Sequence, residues 1–174
     1  MVIWQRRTMN TAPILRRVAR ALRESRLEAV MIGNAAAALQ GAPVTTVDVD
    51  FLFRKTPSNL RKLKMVARAL GAIILRPYYP VSDLFRLSAD DDSLQLDFMA
   101  TIHGVRSYNG LRSRACYVDL NGERLLVAAL SDIIASKRAA NRPRDKAVID
   151  VLSATLAQRK ADASRKTGGP EAGK

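Results

Sequence analysis

Residues 47–53, Val-Asp-Val-Asp-Phe-Leu-Phe, alternate in the manner of a strand. In a strand, residues two apart point to the same side of the sheet. Val47, Val49, Phe51 and Phe53 therefore face one way, and Asp48 and Asp50 the other. The apolar side must be covered, and helices are the available cover, because helical patterns flank the strand on both sides. This predicts an α/β fold, a mixed sheet flanked by helices. The acidic side has its own requirement. Two carboxylates on adjacent same-face positions repel each other unless something positive lies between them. A magnesium ion, a hard cation that prefers oxygen ligands, meets that need.

Upstream, the apolar run Ala29 to Ile32 reads as a strand and gives way to Gly33-Asn34 and the helix former Ala35-Ala36-Ala37-Ala38-Leu39. A glycine and a polar residue at a strand-to-helix turn leave backbone N–H groups free to hold a phosphate. Downstream, Leu84-Phe85-Arg86-Leu87 and Leu94 to Met99 flank a turn, Ala89-Asp90-Asp91-Asp92-Ser93, and predict a hairpin. The three turn aspartates lack EF-hand spacing and a terminal Glu, so they read as turn formers. In the second strand of the hairpin Leu94, Leu96 and Phe98 share one face, and Gln95 and Asp97 the other. Asp97 is thus a third carboxylate on a polar strand face. The plainer reading is a sheet with one wet face and three unrelated aspartates.

The rest of the chain supplies the covering helices. Residues 13–27 place Ile14, Leu15, Val18, Ala21 and Leu22 at helical spacing, with Arg16, Arg17, Arg20 and Arg23 around them. That basic face is either a solvated surface or a contact for RNA. Thr56, Pro57 and Gly71 are the N-cap, first-turn proline and C-terminal stop of a helix whose buried stripe is Leu60, Leu63, Ala67 and Leu70. With the strand Ala72 to Leu75 it forms a strand–helix–strand crossover. Arg54, Lys55, Arg61, Lys62, Lys64, Arg68 and Arg76 make this the strongest basic patch. Residues 100–114 read as a loop with a short helix, and Asn121-Gly122 marks a hairpin between residues 115–119 and 124–127. Ser131 is placed to cap a helix running to Ala140. On it Lys137 shares the apolar face of Ile133 and Ile134, so it either snorkels to water or meets an anion. Pro143 ends that helix, and Asp145 can cap the last one, Lys146 to Gln158.

Three stretches together resemble the nucleotidyltransferase superfamily that includes DNA polymerase beta. They are IGN…TTVDVDFLF, the Leu94-Gln95-Leu96-Asp97-Phe98 strand, and SDIIASKRAANRPRDKAVIDVL from Ser131 to Leu152. The branch they most resemble is the small bacterial nucleotidyltransferases related to AbiEii-type toxins, over roughly residues 29–152. The resemblance implies a metal site of Asp48, Asp50 and Asp97, with Lys137 as a further catalytic residue on the nucleotide phosphates. Gly33, Asn34 and Thr46 are the other nucleotide-binding candidates. Asp97 would ligate a second ion or take the acceptor's proton. Magnesium is the implied cofactor and a nucleoside triphosphate the implied donor. The acceptor is then RNA, by likeness to the toxin branch a tRNA 3′ end, with an antitoxin protein as a candidate partner. A protein hydroxyl or a small molecule such as an aminoglycoside is the other acceptor class, and a non-catalytic RNA-binding module the rival from outside enzymology. The chain departs from the branch at Asn34, where Gly or Ser is usual, and at Val148, where a second Asp often follows the Arg-Asp pair. It also has no Arg between Ala42 and Thr46.

Length and charge bound these readings. A chain of 174 residues suits one domain with a real core, here residues 1–160, with its sheet core at 29–130, a helical part at 131–160, and a tail from 161 without pattern. A net charge of +13 suits a polyanionic partner, or simply basic solvated faces. His103 is the only histidine and Cys116 the only cysteine, too few for a zinc site and none to spare for an internal disulfide. No apolar run approaches the roughly 20 residues of a membrane span, and a cytoplasmic location is expected.

Overall fold

The computed structural model describes residues 2–46, 48–75, 83–89 and 94–167, without the side chains of 2–12, 166 and 167. Val47, Arg76 and the turn aspartates Asp90, Asp91 and Asp92 lie outside the described residues. A seven-stranded mixed sheet runs through the molecule. Its strands are β1 (Ala29–Ile32), β2 (Val49–Phe53), β3 (Ala72–Leu75), β4 (Leu84–Ala89), β5 (Gln95–Met99), β6 (Cys116–Leu120) and β7 (Glu123–Val127). Their order is β3-β4-β5-β2-β1-β7-β6. The helices are α1 (Val2–Ser25), α2 (Gly33–Ala38), α3 (Pro57–Leu70), α4 (Tyr108–Arg114), α5 (Leu130–Ala140) and α6 (Pro143–Thr167).

β2 lies near the middle, antiparallel to β1 and parallel to β5. From Val49 onward its alternation works as the sequence predicts, while Asp48 stands just before the strand. Phe51 stacks on Phe98 of β5 with ring centroids 4.9 Å apart, and Phe53 meets Phe85 and Phe98 edge-on. Offset-stacked and edge-to-face rings are the favoured aromatic geometries, so this cluster locks the register of β4, β5 and β2. The register then decides what stands on the other face. Arg86 pairs across from Asp97, and Asp97 across from Asp50.

Local signals set the helix ends. The Thr56 side chain accepts a hydrogen bond from the Asn59 N–H, Pro57 opens α3, and Gly71 closes it in the left-handed conformation. In α3 Leu63, Val66, Ala67 and Leu70 are buried, with Leu60 at the edge of the stripe. The crossover from β2 through α3 does not return to a neighbouring position, because β5 and β4 stand between β2 and β3. The hairpin at Asn121-Gly122 forms with both residues at positive φ, as a type I′ turn requires.

Three helix boundaries differ from expectation. α1 begins at Val2, well before the expected start at residue 13, and carries Pro13 inside it. α5 starts at Leu130, with Ala129 as N-cap and no side-chain cap, so Ser131 is not the cap. The reason is packing: Leu130 is buried, and drawing it into the core pulls the first turn back by two residues. α6 begins at Pro143 and continues to Thr167, through part of the stretch expected to lack structure. Residues 159–166 are mostly Lys, Arg and Ala, which favour helix, and the first glycine comes only at Gly168. α1 packs on α3 and α5 on α6, while α2 contacts β1, β2 and α5. Among the described residues no helix is long and apolar enough to cross a membrane.

Candidate active site

A cleft of about 510 Å³ opens beside the polar face of β2, lined by residues of α2, α5 and α6 together with Asp48 and Asp50. Gly33, Asn34 and Thr46 line it, and so do Lys137, Arg142, Arg144 and Asp145. The structure thus brings Gly33, Asn34, Thr46, Asp48, Asp50 and Lys137 to one cavity. Asp97 is not among the lining residues. It stands beside Asp50, across from it on the neighbouring strand β5, and is buried.

The backbone shapes the cleft before any side chain does. Gly33 sits at φ 73°, and a Cβ built there would lie 2.9 Å from Asp50 Oδ2. Glycine is needed twice over, for the left-handed turn and for the close approach to the carboxylate. No side chain caps α2, which leaves the backbone N–H groups of its first turn without side-chain acceptors. The Asn34 amide oxygen is buried without a hydrogen-bond partner. Turning that amide over would present its N–H₂ donors in the same place. Thr46 closes a tight turn onto Asp48, its hydroxyl bonded to both the N–H and the carbonyl of that residue. It therefore holds Asp48 in position.

Charge is unevenly distributed here. Asp50 is pushed up to about 6, first by burial and then by the charges of Asp97 and Asp48, against the opposing pull of Lys137 and Arg144. A carboxylate so crowded is short of positive charge, and a divalent cation would supply it. With the room that Gly33 leaves at Asp50 Oδ2, the Asp48–Asp50 pair fits a magnesium ion. Asp97 is committed elsewhere. Arg86 grips it with a two-pronged guanidinium–carboxylate contact, Nε to Oδ1 at 2.7 Å and Nη2 to Oδ2 at 2.8 Å. Among the described residues no three His, Cys, Asp or Glu side chains form a ready metal cluster. Lys137 is also engaged, its ammonium 3.0 Å from Asp145 Oδ1, with both side chains nearly buried.

Sequence reasoning missed Arg86, Arg142, Arg144 and Asp145 as members of this neighbourhood, and His103 too, which stands exposed in the loop before α4 as part of the cleft wall. The signal for Arg86 was present. A hairpin closed at Ala89 and Leu94 sets Arg86 opposite Asp97 by simple counting.

Comparison with known proteins bears on the fold and the family. No curated protein matches the chain. Among solved structures it is similar to ANT(2")-Ia in complex with adenylyl-2"-tobramycin, with a TM-score of 0.60 at 15% identity over 90% of this chain and 95% of that one. It is similar to the lincosamide antibiotic adenylyltransferase LnuA bound to lincomycin, with a TM-score of 0.53 at 11% identity over 77% of this chain and 90% of that one. An antigenic nucleotidyltransferase-like protein from Paracoccidioides brasiliensis matches with a TM-score of 0.56 at 14% identity, over 84% and 75%. At these identities the likeness is one of fold. A family model described as "Nucleotidyl transferase of unknown function (DUF2204)" matches residues 11–167. The chain belongs to that nucleotidyltransferase family, and is a transferase by that membership.

Proposed function

We propose that the protein moves a nucleoside monophosphate from a nucleoside triphosphate to a hydroxyl of RNA, in a magnesium-dependent reaction. The observation that carries this is the crowding at Asp50, a half-buried carboxylate flanked by Asp48 and Asp97 and faced by Lys137 and Arg144. Asp48 and Asp50 would hold the magnesium ion, which when bound withdraws electron density from the phosphate it touches. Gly33 and Asn34 would hold the β- and γ-phosphates through backbone and amide N–H groups. Arg142 and Arg144 would set a positive wall for the triphosphate, and Lys137 would join it by exchanging Asp145 for the phosphates. An acceptor oxygen attacks the α-phosphorus, the bond to pyrophosphate breaks, and the hydroxyl proton is released to water.

The +13 net charge and the exposed Arg61, Lys64 and Arg68 on α3 favour RNA as the acceptor. A tRNA 3′ end, and with it the AbiEii-type toxin reading and an antitoxin partner, is the specific form of this proposal. A second reading, an antibiotic acceptor, has the likeness to ANT(2")-Ia and LnuA in its favour. A strongly cationic chain is a poor electrostatic match for a cationic aminoglycoside, so we place RNA first.

The test is incubation with magnesium and each labelled triphosphate, with total bacterial tRNA, tobramycin or lincomycin as acceptor. Label on tRNA that disappears with Asp50→Asn supports the proposal. Label on an antibiotic alone would replace RNA with the second reading. No label on any acceptor, with RNA still bound, would make the chain a non-catalytic RNA-binding module.

A further inference from the structure

The polar face of the sheet carries a row of charge at one level: Arg86 on β4, Asp97 on β5 and Asp50 on β2. Asp48 lies just before β2 and lines the same cleft as Asp50. Asp97 offers two carboxylate oxygens, and the Arg86 fork uses both, at 2.7 and 2.8 Å. Such paired contacts are the strong form of the arginine–carboxylate interaction. The guanidinium serves the other acids as well: its proton is held more tightly than usual, through the hydrogen bond to Asp97 first and the charges of Asp97, Asp48 and Asp50 after it. Lys137 cannot play this part freely, since Asp145 neutralises it. Three carboxylates against one guanidinium leave a charge of −2, the amount one divalent cation offsets.

We propose that Arg86 is the built-in counter-ion of the carboxylate row and competes with the divalent cation for Asp97, so that Asp48 and Asp50 alone hold the metal. Arg86 is then a positioning residue that limits the site to one metal ion. Asp97 acts as its anchor. This rests on reading Asp48 and Asp50 as a metal pair, and the experiment separates the two claims.

The experiment is a titration of Mn²⁺, followed by electron paramagnetic resonance of the free ion, on four proteins: the natural chain, Arg86→Gln, Asp97→Asn, and the double variant. Thermal melting in EDTA verifies that each is folded. Arg86→Gln frees Asp97 and removes a positive charge, so Mn²⁺ should bind about ten-fold tighter or more, in keeping with the one to three log units a neighbouring charge is worth. The double variant restores the −2 balance with the same two ligands, so its affinity should return to within about three-fold of the natural chain. A double variant binding Mn²⁺ far more weakly than the natural chain would show that Asp97 is a ligand already, and would overturn the proposal. So would an unchanged affinity in Arg86→Gln. Should Arg86→Gln fail to fold, Arg86→Lys keeps the charge but breaks the fork. It should still tighten Mn²⁺ by about three-fold, by releasing one Asp97 oxygen. No tightening there would be equally fatal. If Mn²⁺ binds none of the proteins, the metal pair itself fails, a result distinct from the others.

Discussion

Gly33 is pressed against Asp50: a Cβ on Gly33 would lie 2.9 Å from Asp50 Oδ2, and its φ is 73°. The first glycine after β1 therefore sets how close the backbone comes to the carboxylate. Gly33→Ala should cost about 1–3 kcal/mol in backbone strain alone. It should also displace the Asp50 side chain, and a misplacement of about 1 Å can cost roughly 10²-fold in rate. Gly71 is the control. It has a similar φ of 65° but open space where its Cβ would go. Gly71→Ala should lower the melting temperature while nucleotide transfer stays near that of the natural chain. Equal losses of transfer in both variants would show that Gly33 matters for folding only.

The Lys137–Asp145 pair joins α5 to α6 with side chains only 12% and 10% exposed. Removing one partner of a buried pair strands a charge and typically costs about 3–5 kcal/mol. Lys137→Met and Asp145→Asn should therefore both lower stability by amounts of that order. Lys137→Met combined with Asp145→Leu should cost less than the sum of the two single changes, since neither charge is then left alone. Denaturant unfolding measures all of these. A Lys137→Met protein that loses transfer with an unmoved unfolding midpoint would return the lysine to a role on the phosphates alone.

The basic patch of α3 contributes no residue to the cleft, so binding and chemistry should separate. If RNA binds along α3, log affinity should fall with log salt by about 0.7 per neutralised phosphate of a single strand. Neutralising Lys62, Lys64 and Arg68 together should flatten that slope by up to about 2, with triphosphate binding unchanged. Arg20 and Arg23 are weaker candidates for the RNA surface than their positions on α1 imply, because both are bonded to Glu123. An unchanged slope after the triple substitution would move the surface to Arg16 and Arg17, which are exposed.

Features coded within a few residues were the legible ones. The period of two in Val49–Phe53 gave the acidic face, and Thr56, Pro57 and Gly71 bounded α3 through local hydrogen bonds and φ preferences. Asp97 could be placed on the polar face by the same alternation, yet alternation says nothing of what stands opposite. That depends on hairpin register, and there Arg86 waits. Lys137 was readable as a lysine on an apolar face, in need of an anion. The anion turned out to come from the next helix, across the break at Asn141, whose left-handed backbone turns the chain back on itself. A period of 3.6 within one helix carries no information about the helix it packs against.

The charge of Asp50 should make the metal-free protein less stable as pH rises. Its carboxyl is pushed from 3.8 up to about 6 by burial and by Asp97 and Asp48. Between those values the folded chain holds a proton that the unfolded chain has released, so stability falls as pH rises through that window. At about 1.4 kcal/mol per pH unit, and with allowance for the part of the side chain that water reaches, the loss should be on the order of 2 kcal/mol by pH 7. Asp50→Asn is uncharged at every pH. In EDTA it should melt above the natural chain at pH 7.5 and close to it near pH 4, because at low pH both side chains are neutral. Magnesium should act in the opposite direction, raising the melting point of the natural chain at pH 7.5 and leaving Asp50→Asn nearly unmoved, since a ligand that binds only the folded state stabilises it. The measurement is differential scanning calorimetry at both pH values, with and without the ion. If Asp50→Asn melts below the natural chain in EDTA at pH 7.5, the charged carboxylate is held by partners that outweigh its repulsion, and the shortage of positive charge at this site is not real.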